Sequence, residues 1–146
     1  MGKLILSDEW WTSPAEGESG GLVIVTGRRD MEEVMATGRF TERVEVSWKY
    51  EGESNGMPDV ATSTRMEEVQ NAIREVLKKD PVAVLTGIYT GDNLRNWVFY
   101  AISTHIFQKK INEALSGFEL LPLTMYAEHD EEWNEYKEMR ELTEIK

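Results

Sequence analysis

The chain has 146 residues, a formal net charge of −11 and no cysteine, and 40% of it is hydrophobic, with five Trp, five Tyr and four Phe. That length suits a single domain, 1–146, burying roughly 68–70% of its unfolded surface, and the aromatic content argues against disorder. The acidic balance works against unspecific binding to phosphate backbones or anionic lipid, and the absence of thiols removes disulfides and cysteine nucleophiles.

No apolar run approaches the ~18 residues of a membrane span. The start, Met1-Gly2-Lys3 followed by Leu4-Ile5-Leu6, is too short an apolar stretch for a signal peptide. A cytoplasmic protein is therefore expected.

In chain order, residues 1–40 predict a β-hairpin and a short helix. Trp10-Trp11-Thr12 and Leu22-Val23-Ile24-Val25-Thr26 are β-rich runs on either side of a Gly/Ser loop, residues 16–21. Met31 to Met35 reads as a short helix ended by Gly38, with Asp30 as N-cap and Glu33 in the capping-box place. Residues 41–50 alternate cleanly: Val44, Val46, Trp48 and Tyr50 fall on one face, and Arg43, Glu45, Ser47 and Lys49 on the other.

Asp59 then caps a helix over residues 59–79, whose stripe is Met66, Val69, Ile73, Val76 and Leu77. Lys78-Lys79 suits its C-terminal dipole, and Pro81 stops it. Residues 81–102 form a second hairpin, turning at Thr90-Gly91-Asp92-Asn93, where Gly and Asn tolerate the positive φ of a tight reversal. Phe107, Ile111, Ala114, Leu115 and Phe118 mark another amphipathic helix ending near Gly117. Residues 120–126 read as a strand, at an edge because Pro122 donates no ladder bond. Trp133, Tyr136 and Met139 at threefold spacing predict a short acidic helix within 127–146. Glu128 to Glu144 carries eight acids against Lys137 and Arg140.

Residues 41–126 thus give strand, helix, strand, strand, helix, strand. This is the order of an α+β, ferredoxin-like βαββαβ sandwich, with an added N-terminal hairpin and a C-terminal helix. Strands 41–50 and 95–102 would be central and 82–90 and 120–126 at the edges. The N-terminal hairpin either extends the sheet or covers its open face, where Trp97 and Phe99 are expected to lie under it.

Four blocks, Arg43 to Tyr50, Gly56-Met57-Pro58, Leu85 to Gly91 and Arg95 to Tyr100, together resemble an uncharacterised bacterial family known as domain of unknown function 695. The resemblance spans about Trp10 to Tyr136. Members are sometimes joined to a domain similar to the regulator of ribonuclease activity B, itself a ferredoxin-like inhibitor. This implies a bacterial cytosolic domain, and the family brings no catalytic residues.

No enzyme motif emerges from the residues themselves. Glu128-His129-Asp130-Glu131-Glu132 has neither HExxH nor EF-hand spacing and reads as a solvated acidic helix start, so no metal or other cofactor is expected. Thr86 to Gly91 lacks the P-loop lysine and is not followed by a helix. The aromatics of Arg95 to Ile102 echo an RNA-recognition strand, but the glycine is missing, residues 41–50 present charges, and the net charge is wrong for RNA. Glu45, between Arg43 and Lys49, reads as part of a cross-strand ion-pair ladder.

Two functions from different classes follow. The first is a non-enzymatic interaction or regulatory module meeting a partner with a basic surface. The second is a small-molecule site or enzyme between the N-terminal hairpin and the sheet, lined by Arg28, Arg29, Glu45, Asp92, Arg95 and Tyr100. Either fits a monomer or a homodimer paired through an edge strand. Neither nucleic acid nor membrane is expected as a partner.

Overall fold

A computed structural model describes residues 6–17 and 20–144; residues 1–5, Glu18-Ser19 of the first loop and residues 145–146 lie outside the described residues. The elements run β1 (Trp10–Glu16), β2 (Leu22–Arg28), α1 (Glu32–Ala36), β3 (Glu42–Lys49), α2 (Val60–Lys79), β4 (Ala83–Gly91), β5 (Leu94–Ala101), α3 (Thr104–Ala114), β6 (Leu123–His129) and α4 (Asn134–Thr143). The protein is α+β. All strand pairs are antiparallel, in one six-stranded sheet ordered β1-β2-β4-β5-β3-β6.

The N-terminal hairpin extends the sheet, because β2 pairs with β4. This makes β4 an interior strand rather than the edge expected for residues 82–90. The edges are β1, which carries Pro14, and β6, which starts just after Pro122.

Local chemistry accounts for most boundaries. Asp59 caps α2 by accepting a 2.7 Å hydrogen bond from the Thr62 N–H, and Met66, Val69, Ile73 and Leu77 are buried along one side. The β4–β5 reversal is a two-residue loop, Asp92-Asn93, with φ of 56° and 65°, the pattern of a type I′ turn. Gly91 before it has φ of 147°, and a Cβ there would lie 2.2 Å from the Leu22 carbonyl oxygen, so β2 and β4 can close only around a glycine. Asp30 takes φ of 59° and leaves the N-cap of α1 to Met31, which makes no side-chain capping bond, so the expected Asp30 cap is not formed.

The sheet has an apolar core on each face. On one face α2 and α3 cover Val44, Val46, Trp48, Trp97 and Phe99. Trp97 and Phe99 therefore lie under these helices and not under the hairpin. Their side is fixed by register, since Trp97 opposes Val46 and Phe99 opposes Val44. The Phe99 and Phe107 rings are 4.7 Å apart, and Trp97 Nε1 donates to Gln70 Oε1 at 2.9 Å.

The second face expected to be open is covered where β1, β2, β4 and β5 run. Met31, Val34, Phe40, Trp133, Tyr136 and Met139 close over Trp11, Val25, Val84, Val98 and Tyr100. The facing pair Gly27 and Gly87 makes this possible: a Cβ on Gly27 would meet the Trp11 ring at 2.2 Å, and one on Gly87 would meet Met139 Sδ at 3.0 Å. Polar ties join α4 to the first strands: Trp11 Nε1 donates to Thr143 Oγ1 at 2.8 Å, and the Tyr136 hydroxyl donates to the Arg28 carbonyl at 2.5 Å. Arg29 pairs with Glu144, and Arg140 with Glu32.

Candidate functional site

Beside α4, on its face of the sheet, polar side chains of β3, β4, β5, β6 and α4 meet. Alternation along β3 puts Arg43 and Glu45 on the α4 face, and the β3–β6 register brings Glu128 beside Arg43. Arg43 bonds Glu45 at 2.9 Å, Glu128 at 2.6 Å and Asp130 at 3.4 Å. Burial lowers the pKa of this guanidinium, and Glu45 and Glu128 more than reverse that, so it stays firmly charged. Asn96 donates to Glu45 at 2.9 Å and accepts from Ser47 at 2.8 Å.

Asp130 is the hub. Trp133, the residue before α4, has a left-handed backbone and gives no side-chain cap. Asp130, reaching from the turn after β6, takes over that task. Its carboxylate accepts from the Asn134 N–H at 2.9 Å and the Glu135 N–H at 3.2 Å, and the Tyr100 hydroxyl accepts from the Tyr136 N–H at 3.2 Å. Tyr100 donates in turn to Asp130 at 2.9 Å. Burial pushes the Asp130 pKa up, but the two N–H groups, the Tyr100 hydroxyl and Arg43 outweigh it and hold it below the usual carboxylate range.

Glu135 is the opposite case: burial raises its pKa, partly offset by a 2.6 Å hydrogen bond from the Tyr89 hydroxyl. Burial and the neighbouring Glu135 carboxylate push both Tyr89 and Tyr100 far above the ordinary phenol value, so both stay neutral donors. Among the described residues, no buried side-chain N or O atom lacks a hydrogen-bond partner. The cluster acts as a clasp holding α4 to the sheet, with every acid and base in it already engaged.

Arg95 lies on the other face, opposite Thr90 in the β4–β5 register. It forms the floor of a cleft of about 390 Å³ between α2 and strands β2 and β4. Its Nε donates to Thr90 Oγ1 at 2.8 Å, its Nη1 meets Glu67 Oε1 at 3.3 Å, and only 10% of the side chain is exposed.

The other expected lining residues do not share one pocket. Arg28 is buried on the α2 face, donating to the carbonyls of Ser7 at 2.7 Å and Leu85 at 3.1 Å, and lying 5.1 Å from the Trp10 ring centre. Leu85 flanks a β-bulge in the β4–β5 ladder, and Arg28 serves its carbonyl there. Burial and the like charge of Arg74 bring the Arg28 pKa down to about 10. Arg29 turns to the opposite face, over Trp11 and against Glu144. Asp92 occupies the β4–β5 turn. Glu45 and Tyr100 belong to the clasp and are joined through Arg43 and Asp130 in one network.

Arg43, Tyr89, Asp130 and Glu135 were not among the expected site residues. The charge alternation around Glu45 already contained Arg43. No local pattern signals Asp130, which caps a helix from four residues upstream through a left-handed Trp133. The acidic stretch read as a helix start divides instead: Glu128 and His129 are in β6, and α4 begins at Asn134.

β6 is the remaining surface of note. It pairs with β3 alone, and most of its seven residues are exposed, Tyr126 at 55%. Around it stand Glu128, Glu131 and Glu42, with His129 Nδ1 2.5 Å from Glu42, whose carboxylate raises the imidazole pKa. Among the described residues, no group of three or more His, Cys, Asp or Glu side chains could hold a metal ion, and no helix is long and apolar enough to cross a membrane.

A family model, described as a family of unknown function (DUF695), matches residues 11–139. No curated protein and no solved structure matches the chain.

Proposed function

We propose, for a chain that belongs to the family of unknown function DUF695, a non-enzymatic role as an interaction module that takes a basic, extended segment of a partner protein along β6. The observation that carries this reading is the open β6 edge with its carboxylates. A strand paired on one side offers a row of backbone donors and acceptors to an incoming strand, which supplies affinity, while side chains along it supply selectivity. The opposite edge, β1, is interrupted by Pro14, whereas β6 has no proline within Leu123–His129. Self-pairing would add a second set of the same carboxylates, Glu128 and, just beyond the strand, Glu131, to one edge, so a lysine- or arginine-bearing strand fits better.

The strand order β6-β3-β5-β4, with α2 and α3 on one face, supports reading residues 41–126 as a ferredoxin-like unit inside a single domain. A cytosolic, bacterial setting accords with the family resemblance and the lack of cysteine. The engaged state of the clasp favours a binding role over catalysis.

Hydrogen exchange tests the edge directly. Adding a nine-residue peptide of alternating Lys and Val should slow exchange of the outward β6 amides, an effect weakened in Glu131→Lys, a position outside the clasp, and absent with a matching peptide of alternating Glu and Val. Equal protection by both peptides, or protection spread away from β6, refutes the reading.

A further inference from the structure

The geometry points to a second binding site, in the cleft between α2 and strands β2 and β4, for a small organic carboxylate with an apolar body. One wall is the face of α2 that carries Ser63, Glu67 and Gln70; Ile24 and Ile88 form the sheet side, and Arg95 the floor. A volume of about 390 Å³ falls within the size range of small-molecule sites.

The chemistry of the head group follows from Arg95. A buried guanidinium has five N–H donors, of which the described residues engage Nε with Thr90 and Nη1 with Glu67. Glu67 is a poor permanent partner: its contact is 3.3 Å long and its side chain is 55% exposed. An incoming carboxylate can displace it and meet the guanidinium fork with two parallel bonds. Gln70 reinforces this polarity. Its Oε1 is held by Trp97 Nε1, which fixes the amide so that its NH₂ group donates. Among the lining residues Arg95 is the one cation, so a singly charged carboxylate is matched and a phosphate dianion is not. Ile24, Ile88, Met57 and Pro58 suit an alkyl or aryl body.

Glu67 therefore acts as a competing internal anion, which gives the site an unusual test. Isotope-labelled full-length chain is titrated with decanoate, 4-phenylbutyrate and indole-3-butyrate, and with the primary amide of each, followed by backbone NMR shifts. At least one carboxylate is expected to move Thr26, Thr90 and Arg95 together at low millimolar concentration, with its amide about tenfold weaker or worse. Glu67→Gln should tighten that carboxylate about twofold to fivefold by removing the competitor. Arg95→Met should abolish it. Since Arg95 is buried and its loss can unfold the chain, the exposed Glu67 variant carries the decision. If no carboxylate in the set moves those resonances, if the amides bind equally, or if Glu67→Gln leaves affinity unchanged or weaker, the proposal falls.

Discussion

Asp130→Ala should be the most damaging loss of a carboxylate from the clasp. The substitution removes four hydrogen bonds at once: from Asn134 N–H, Glu135 N–H, the Tyr100 hydroxyl and Arg43. Loss of a helix cap costs about 1 kcal/mol, within a range of 0.5–2. The Tyr100 hydroxyl, fully buried, loses its 2.9 Å acceptor and keeps only Glu135 Oε1 at 3.5 Å, which costs about 1–3 kcal/mol more. Arg43 keeps Glu45 and Glu128, so its share is small. A total of about 3 kcal/mol follows, which for a chain of this length lowers Tm by about 6–12 °C. Urea unfolding followed by tryptophan fluorescence and circular dichroism measures it, with Glu128→Ala as the matched control. Glu128 contacts the same Arg43 from an exposed position, and its loss should cost no more than about 1 kcal/mol. The pH dependence has a definite sign. Because the folded Asp130 pKa is lowered, its contribution is present above the unfolded value of about 3.9 and is lost as pH falls through the folded value. If Asp130→Ala and Glu128→Ala prove equally mild at neutral pH, Asp130 is not the cap of α4.

Glu135 should show the opposite sign. Its folded pKa is raised by burial, so the stability of its protonated form is complete below about pH 4.3 and declines as pH rises through the folded value. Urea midpoints taken across that window should fall more steeply with pH in the wild type than in Glu135→Gln; parallel profiles would contradict the burial argument. Phe99→Ala, which empties a site packed on Phe107, should cost about 3–5 kcal/mol by chemical denaturation. Leu120→Ala, at a fully exposed position, should stay within about 0.5 kcal/mol. Gly91→Ala places a Cβ against the Leu22 carbonyl and should speed hydrogen exchange across the β2–β4 pairing; unchanged exchange there would show that the strands can shift to admit it.

What could be read from the sequence was whatever depends on neighbours along the chain. The Asp59 cap, the stripe of Met66, Val69, Ile73, Val76 and Leu77, all buried but the half-buried Val76, and the alternation of β3 are local patterns, and each appears in the fold. Trp97 and Phe99 were legible as one face of a strand, but a period of two does not say which face receives the helices. That depends on the opposition of Trp97 to Val46, a pairing between residues far apart in the chain. The start of β6 moved three residues, from 120 to 123, because Pro122 ends the preceding loop instead of joining the strand. Asp30 failed as a cap through its own backbone, with φ of 59°, which composition does not disclose. Of the six candidate site residues, Glu45 and Tyr100 converge because the β3–β5 register and α4 bring them together. Arg28, the last residue of β2, and Arg29, just beyond it, part to opposite faces, so adjacency in sequence did not put them in one site.

The ties between α4 and the first hairpin impose a schedule on synthesis. Trp11 and Thr143, joined by a hydrogen bond, are 132 residues apart. At a synthesis rate of about 5–20 residues per second, Trp11 would wait roughly 7–26 s before its partner exists. Until α4 is made, Trp11 and, once they are added, Val84, Val98 and Tyr100 lack the lid that α4 provides. The nascent chain would carry an uncovered aromatic surface beside a nearly complete sheet. It is therefore exposed to aggregation and to chaperone capture for as long as α4 is missing, and a released chain truncated after residue 130 should bind hydrophobic dyes more strongly than residues 1–146.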